Sequence, residues 1–118
     1  MKHILAFSNP VFHAGDNITC RAGRKWLEGC KPGDTVAVTR TGSPDILFEA
    51  PVTAVWFAPL SWVPASVLAR EHDPDCRTHA GLAAELARHY PLPASGEFEI
   101  AIVAFDVPAQ AAAPGVTA

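Results

Sequence analysis

The chain has 118 residues, of which 49% are hydrophobic, and its formal net charge is −3. This length fits a single domain, and the negative charge argues against broad, sequence-independent binding to long nucleic acid. No apolar run approaches the ~18 residues that a membrane-spanning helix needs, so the sequence predicts no membrane partner.

Basic residues are concentrated near the start of the chain, and acidic residues prevail after residue 40. This distribution is consistent with a basic patch around Arg21, Arg24 and Lys25, or with a solvated surface cluster. The three cysteines have no metal-ligand spacing and the five histidines fit no zinc pattern, so no metal or other cofactor is predicted. The odd cysteine count, without a signal-peptide pattern, predicts reduced thiols and a cytoplasmic protein.

The first forty residues predict three strands separated by loops. Residues 3–7 form a short apolar strand, and residues 17–22 form a second, more polar one. A helical turn is predicted around residues 25–28. A Lys-Pro-Gly-Asp turn over residues 31–34 then leads into a third strand over 35–39, where alternate residues are apolar.

The second part of the chain predicts a long strand, two helices and a final strand that alternates over 97–102 and is covered on both faces over 103–107. In chain order these are a strand over residues 46–57, a helix over 65–71, a helix that Thr78 caps and that ends at His89, and a strand over 97–107. Residues 108–118 are rich in alanine and proline and predict a disordered tail.

The candidate site lies on the second strand. Thr19 and Arg21 are two residues apart and therefore share one face of that strand. A hydroxyl beside a guanidinium can bind a carbonyl, a phosphate or the edge of a base. Arg24, Lys25 and Trp26 are further candidates for ligand binding, since a tryptophan can stack on a base. Ordinary structural roles stay open for each, namely strand propensity for the threonine, a solvated surface for the basic residues and core packing for the tryptophan.

The order of these elements resembles the ASCH domain family, part of the PUA-like superfamily of small β-barrels. The family signature Gly-x-Lys-x-x-Glu/Thr-x-Arg corresponds to the stretch from Ala14 to Arg21, where Thr19 and Arg21 match. Ala14 and Asp16 stand where the family has Gly and Lys. The further matches are Gly33-Asp34 and Tyr90-Pro91.

The resemblance implies an α+β fold, a small PUA-like β-barrel with two short helices packed on one side, over residues 1–107. It also implies that the protein binds RNA, a nucleotide or a modified nucleobase in a barrel cleft. A nucleoside, a nucleotide or a short RNA is then the expected partner, and the oligomeric state stays open.

One branch of the family hydrolyses acetylated cytidine with the signature Lys and Thr and a Glu between the two helices. By resemblance, the alternative function is an amidohydrolase with Thr19 as nucleophile and Asp16 and Asp75 as assisting carboxylates. Binding ranks above catalysis, because Asp16 replaces the activating Lys and Asp75 is one methylene shorter than Glu. A protein-interaction module with a vestigial cleft is the third possibility.

Overall fold

The structure of the protein, a computed structural model, describes residues 2–23, 25 and 29–111. The strands are β1 (Lys2–Phe7), β2 (Gly15–Ala22), β3 (Thr35–Arg40), β4 (Ile46–Pro59) and β5 (Glu99–Val107), and the α-helices are α1 (Ala65–Leu68) and α2 (His79–His89). Short 3-10 turns occupy Leu60–Trp62, Pro74–Cys76 and Ala109–Ala111. The strands and helices occur in the predicted order. The helical turn predicted over residues 25–28 lies, apart from Lys25, outside the described residues.

The strands form one mixed sheet in the order β1-β3-β4-β5-β2. β1 runs parallel to β3, and the other neighbouring pairs are antiparallel. β5 lies between β4 and β2 and is buried on both faces along most of its length. This burial explains why its sequence is almost continuously apolar. The sequence predicts burial of both faces only over 103–107, whereas Ala101 is buried as well.

Two apolar cores lie on opposite faces of β5. The helix core includes Ile18, Leu68, Leu82, Leu86, Ile100 and Ile102. The inner core includes Leu5, Phe7, Phe12, Val38, Val103 and Phe105. Successive residues of β5 alternate between these cores because side chains of a strand point to opposite faces. Both α-helices contribute to the helix core, so they pack on one side of the sheet, as predicted.

The edge strands β1 and β2 approach each other without pairing. No β-ladder joins them among the described residues, so the sheet is not closed into a barrel there. A side chain bridges the gap instead, since Arg21 Nη2 donates a hydrogen bond to the Ala6 carbonyl at 2.8 Å. The protein is therefore an α+β fold with a five-stranded mixed sheet and two helices, and the barrel closure implied by the resemblance is absent from the described ladders.

The outer edge of β2 is covered by the segment that follows α1. Ile18 donates its backbone N–H to the Arg70 carbonyl, and its own carbonyl accepts from the His72 N–H, each at 3.0 Å. These bonds form a short parallel bridge between Ile18 and Glu71. The bridge fixes Glu71 and His72 beside β2, and the helix predicted over 65–71 accordingly ends at Leu68.

α2 begins and ends at the residues that the sequence indicates. The Thr78 hydroxyl accepts a hydrogen bond from the Gly81 N–H at 3.0 Å and caps the first turn. Gly81 also lies against the 3-10 turn Pro74–Cys76, where an added Cβ would collide with the carbonyl oxygen of Asp75. The helix ends at His89, and Pro91 stands shortly after it.

The predicted tail is described only at its start. Within the turn Ala109–Ala111, Ala111 packs partly against the inner core, and residues 112–118 lie outside the described residues. None of the helices in the described ranges has the length and apolar character needed to cross a membrane.

Candidate binding cavity

A cavity of about 360 Å³ opens where the edge strands β1 and β2 approach each other. This volume falls within the ~300–1,000 Å³ typical of small-molecule sites. The walls come from both edge strands, from the segment after α1 and from the end of α2. The residues that line it include Phe7, Thr19, Arg21, Glu71, His72 and Tyr90.

Arg21 is held in one position inside this cavity. Its Nε donates to Thr19 Oγ1 at 3.1 Å, and its Nη2 donates to the Ala6 carbonyl at 2.8 Å. The guanidinium carbon lies 4.8 Å from the centre of the Phe7 ring, a cation–π distance. Thr19 and Arg21 line the same cavity, as their spacing predicts.

The positive charge of Arg21 has no ion-paired carboxylate within the described part of the chain. Partial burial lowers the pKa of Arg21 from its usual value, but an arginine stays protonated near neutral pH. The hydrogen bonds it makes to described residues use Nε and Nη2. Nη1 can therefore donate to an oxygen of a bound molecule.

Glu71 is a buried carboxyl group in the wall of the cavity, with 2% of the residue exposed. Oε2 accepts from the Cys20 N–H at 3.1 Å, and Oε1 accepts from the Asp73 N–H at 3.2 Å. Burial raises the pKa of Glu71 to about 8, although the Asp73 N–H and the Cys20 side chain act in the opposite direction. The side chain is therefore mostly a neutral carboxylic acid at pH 7.

His72 completes a pair with Glu71. Its Nδ1 lies 3.0 Å from the Val11 carbonyl, which can only accept, so Nδ1 carries the hydrogen. Its Nε2 lies 3.1 Å from Glu71 Oε1. Burial lowers the pKa of His72 to about 4, which keeps the ring neutral. With Glu71 protonated and His72 neutral, the two side chains lie in contact as a pair without net charge.

Aromatic rings fix the orientation of this pair. The His72 ring stacks on Phe12 at 5.1 Å and meets the Phe7 ring edge-on at 4.6 Å. Phe7 therefore contacts both His72 and the Arg21 guanidinium, and it connects the neutral pair to the cation. The cavity thus places a fixed positive charge and the uncharged Glu71–His72 pair against one aromatic ring.

The cysteines in the cavity wall are not nucleophiles. Burial raises the pKa of Cys20 well above its usual value and that of Cys76 to about 12. The thiolate is the reactive form of cysteine, and neither residue forms it near neutral pH. Both side chains instead contribute to the helix core.

The carboxylates predicted to assist catalysis do not line the cavity. Asp16 is exposed and pairs with Arg70, whose Nη2 lies 3.0 Å from Asp16 Oδ1. Asp75 is exposed on the 3-10 turn before α2, where its N–H donates to Asp73 Oδ1 at 3.0 Å. Their predicted roles therefore receive no support from this geometry, and Glu71 occupies the cavity wall instead.

Of the three further residues predicted to bind a ligand, the structure describes only Lys25. Lys25 is exposed and is not among the residues that line the cavity. Arg24 and Trp26 lie outside the described residues, so their predicted roles stay predictions.

Sequence reasoning missed Glu71 and His72. The sequence predicts Glu71 as the last residue of the helix over 65–71 and His72 as the first residue of the polar interruption that follows it. Only the backbone pairing with Ile18 buries them. A usable signal was the adjacency of a carboxyl group and an imidazole, a combination that occurs in sites where protons move.

Comparison of the chain with family models, with curated proteins and with solved structures gave no match. The chemistry of the cavity is therefore judged from its own geometry. Arg21 provides a fixed cation, and Glu71 with His72 provides a neutral pair that can donate or accept a proton.

Proposed function

We propose that the cavity binds a nucleotide or a modified nucleobase, free or at the end of an RNA. The observation that carries this proposal is the Arg21 guanidinium, fixed by Thr19, Ala6 and Phe7 without an ion-paired carboxylate among the described residues. Such a cation favours a phosphate or a carbonyl oxygen, because a guanidinium presents several donors in a rigid fork.

The remaining wall suits a nucleobase. Base edges carry both donors and acceptors. The Thr19 hydroxyl offers a donor and an acceptor atom, whereas Leu82 and Leu86 offer apolar surface. Tyr90 lines the cavity and is 38% exposed, so its ring is accessible for stacking on a base.

We also propose that the fold is a divergent ASCH-like, PUA-like barrel. Support comes from the order of the elements, from the Gly33-Asp34 turn before β3 and from Tyr90 directly after α2. The bridge from Arg21 to Ala6 is the contact that brings the open edges of the sheet together. On this view the signature arginine both closes the barrel and anchors the ligand.

We predict that Arg21→Gln weakens nucleotide binding by about 10- to 100-fold, the equivalent of a charge-assisted hydrogen bond worth about 1.5–3 kcal/mol. The measurement is isothermal titration of the full chain with nucleosides, nucleoside monophosphates and short RNAs that include base-modified forms. Arg40→Gln is the matched control, since Arg40 is exposed and does not line the cavity.

Circular dichroism and thermal melting of both variants verify that the fold is retained. Equal binding by wild type and Arg21→Gln contradicts the role of Arg21. Binding of none of these ligands contradicts the proposed function and favours the protein-interaction module.

Hydrolysis of acetylated cytidine is the second candidate. The observation that favours it is the Glu71–His72 pair, which lines the same cavity as Thr19. Thr19 nevertheless lacks an activating partner among the described residues, because its Oγ1 accepts from Arg21 Nε and no hydrogen bond to a base is present there. A threonine nucleophile needs such a base or a nearby amine. Catalysis therefore ranks below binding.

We predict that turnover of acetylated cytidine by the wild type is slow or undetectable, since Asp16 neither carries the positive charge of a lysine nor lines the cavity. The assay compares wild type, Thr19→Ala and Asp16→Lys, with Thr53→Ala as an exposed strand control. Robust wild-type turnover that Thr19→Ala abolishes and Thr53→Ala preserves would reverse the ranking. A gain of turnover in Asp16→Lys would indicate a site that kept its geometry and lost its activator.

A further inference from the structure

Outside the cavity lining, at the start of β1, three side chains of different chemistry converge. His3, Cys30 and Asp34 each offer one ligand atom, and these atoms lie within 4.8 Å of one another. The closest pair is His3 Nε2 and Asp34 Oδ2, at 2.8 Å. Cys30 and Asp34 are each 4% exposed, and His3 is half-buried. The group is thus largely shielded from solvent.

The fold holds His3 and Asp34 in place. The parallel pairing of β1 with β3 sets His3 opposite Val36, next to Asp34 at the entrance to β3. Two backbone hydrogen bonds to Val52 of β4 hold the turn that carries Asp34. The Gly33 N–H donates to the Val52 carbonyl at 3.0 Å, and the Val52 N–H donates to the Asp34 carbonyl at 2.8 Å. Side chains on such paired elements are placed more accurately than side chains on free loops.

We propose that His3, Cys30 and Asp34 bind a zinc ion. An imidazole, a thiolate and a carboxylate are ligands that zinc accepts together, whereas magnesium and calcium prefer oxygen alone. Zinc–ligand bonds of about 2.0–2.3 Å place tetrahedral ligand atoms about 3.5 Å apart. The three ligand atoms, which lie within 4.8 Å of one another, therefore need only small side-chain movements to reach this spacing. Three protein ligands leave the fourth position for water or an external ligand.

The sequence spacing could not predict this site. Zinc patterns in sequence rely on ligands that are close along the chain, whereas His3 reaches Cys30 and Asp34 only through the pairing of β1 with β3. The site does not rest on the proposed nucleotide function, since none of the three residues lines the cavity. Loss of one function therefore leaves the other testable.

Cobalt(II) tests the proposal directly, because it takes the place of zinc and absorbs light when a thiolate binds it. We expect one equivalent of cobalt per full chain to give a thiolate-to-cobalt charge-transfer band and the visible bands of a tetrahedral ion. Zinc should then displace it. Cys30→Ser should abolish the charge-transfer band and weaken zinc binding at least tenfold, whereas Cys76→Ser, which changes a buried thiol in the helix core, should leave both unchanged.

His3→Gln and Asp34→Asn remove the other ligands while keeping polar side chains of similar size. Each should weaken zinc binding, and circular dichroism of the metal-free variants verifies that they fold. If Asp34→Asn does not fold, His3→Gln alone decides the matter. The proposal is overturned if wild type gives no charge-transfer band, if the band persists in Cys30→Ser, or if His3→Gln binds zinc as well as wild type. The His3–Asp34 contact is then a structural hydrogen bond only.

Discussion

Raising the pH from about 6.5 to about 8 is expected to lower the free energy of unfolding by about 1 kcal/mol. The cause is Glu71, whose pKa rises from 4.5 in the unfolded chain to about 8 in the fold. The folded protein keeps a proton that the unfolded chain releases. Stability from such a group is fully present below the unfolded pKa and is lost as the pH rises through the folded pKa.

Below pH 6.5 the effect of His72 is expected to offset that of Glu71. The pKa of His72 falls from 6.5 to about 4 on folding, so its contribution is present above pH 6.5 and is lost as the pH falls through 4. Between about pH 4.5 and 6.5 the unfolded chain holds one proton on the histidine, and the folded pair holds one on Glu71. Both states bind the same number of protons, and stability should stay level.

The measurement is chemical denaturation of wild type, Glu71→Gln and Glu99→Gln across this pH range. Gln cannot ionise, so Glu71→Gln should lose the decline between pH 6.5 and 8. In that variant Glu71 no longer offsets the contribution of His72, so the free energy of unfolding should rise as the pH is raised from 4 to 6.5. Glu99 is exposed on β5, and Glu99→Gln should keep the wild-type profile. A wild-type stability that does not change up to pH 8 would mean that Glu71 is already ionised at neutral pH.

Gly81→Ala is expected to destabilise the protein by about 1–3 kcal/mol, the usual cost of forcing extra atoms into a packed site. Helix propensity alone predicts the opposite, a gain of about 1 kcal/mol for replacing a helical glycine with alanine. The reason is the collision of the new Cβ with the Asp75 carbonyl. Because that carbonyl belongs to the turn Pro74–Cys76, the displacement should reach Cys76 in the cavity wall and weaken ligand binding.

Denaturant titration of Gly81→Ala and Ala84→Gly distinguishes these effects. Ala84 is exposed on the same helix, so Ala84→Gly should follow propensity and cost about 1 kcal/mol. If Gly81→Ala stabilises the protein by a similar amount, the turn moves away freely, and the close approach at Gly81 does not constrain it.

Strands and helices that depend on residues close along the chain were predictable from the sequence. The alternation in β3 and the apolar run of β5 indicated their strands, and Thr78 with the leucines of α2 indicated that helix and its first residue. Closure of the sheet was not predictable in this way. It depends on how strongly the sheet curls and on whether β1 and β2 pair, which no local pattern specifies.

The candidate site was likewise predictable only in part. Thr19 and Arg21 share a face because of strand geometry, and this required no knowledge of the tertiary fold. The carboxylate near them could not be identified, because Arg70 pairs with Asp16 and the backbone of Ile18 draws Glu71 into the cavity wall. Both events join residues that are far apart along the chain. Burial of a polar run is decided by such contacts rather than by its composition.

The backbone bridge at Ile18 also has a consequence for self-association. The free N–H and C=O groups of an edge strand can recruit a strand from another molecule and start intermolecular sheets. On β2, both backbone groups of Ile18 are already bonded to Arg70 and His72. On β1, the Ala6 carbonyl accepts from Arg21. The chain's own atoms thus occupy one point on each edge of its sheet, which disfavours pairing with a strand of another molecule at these points.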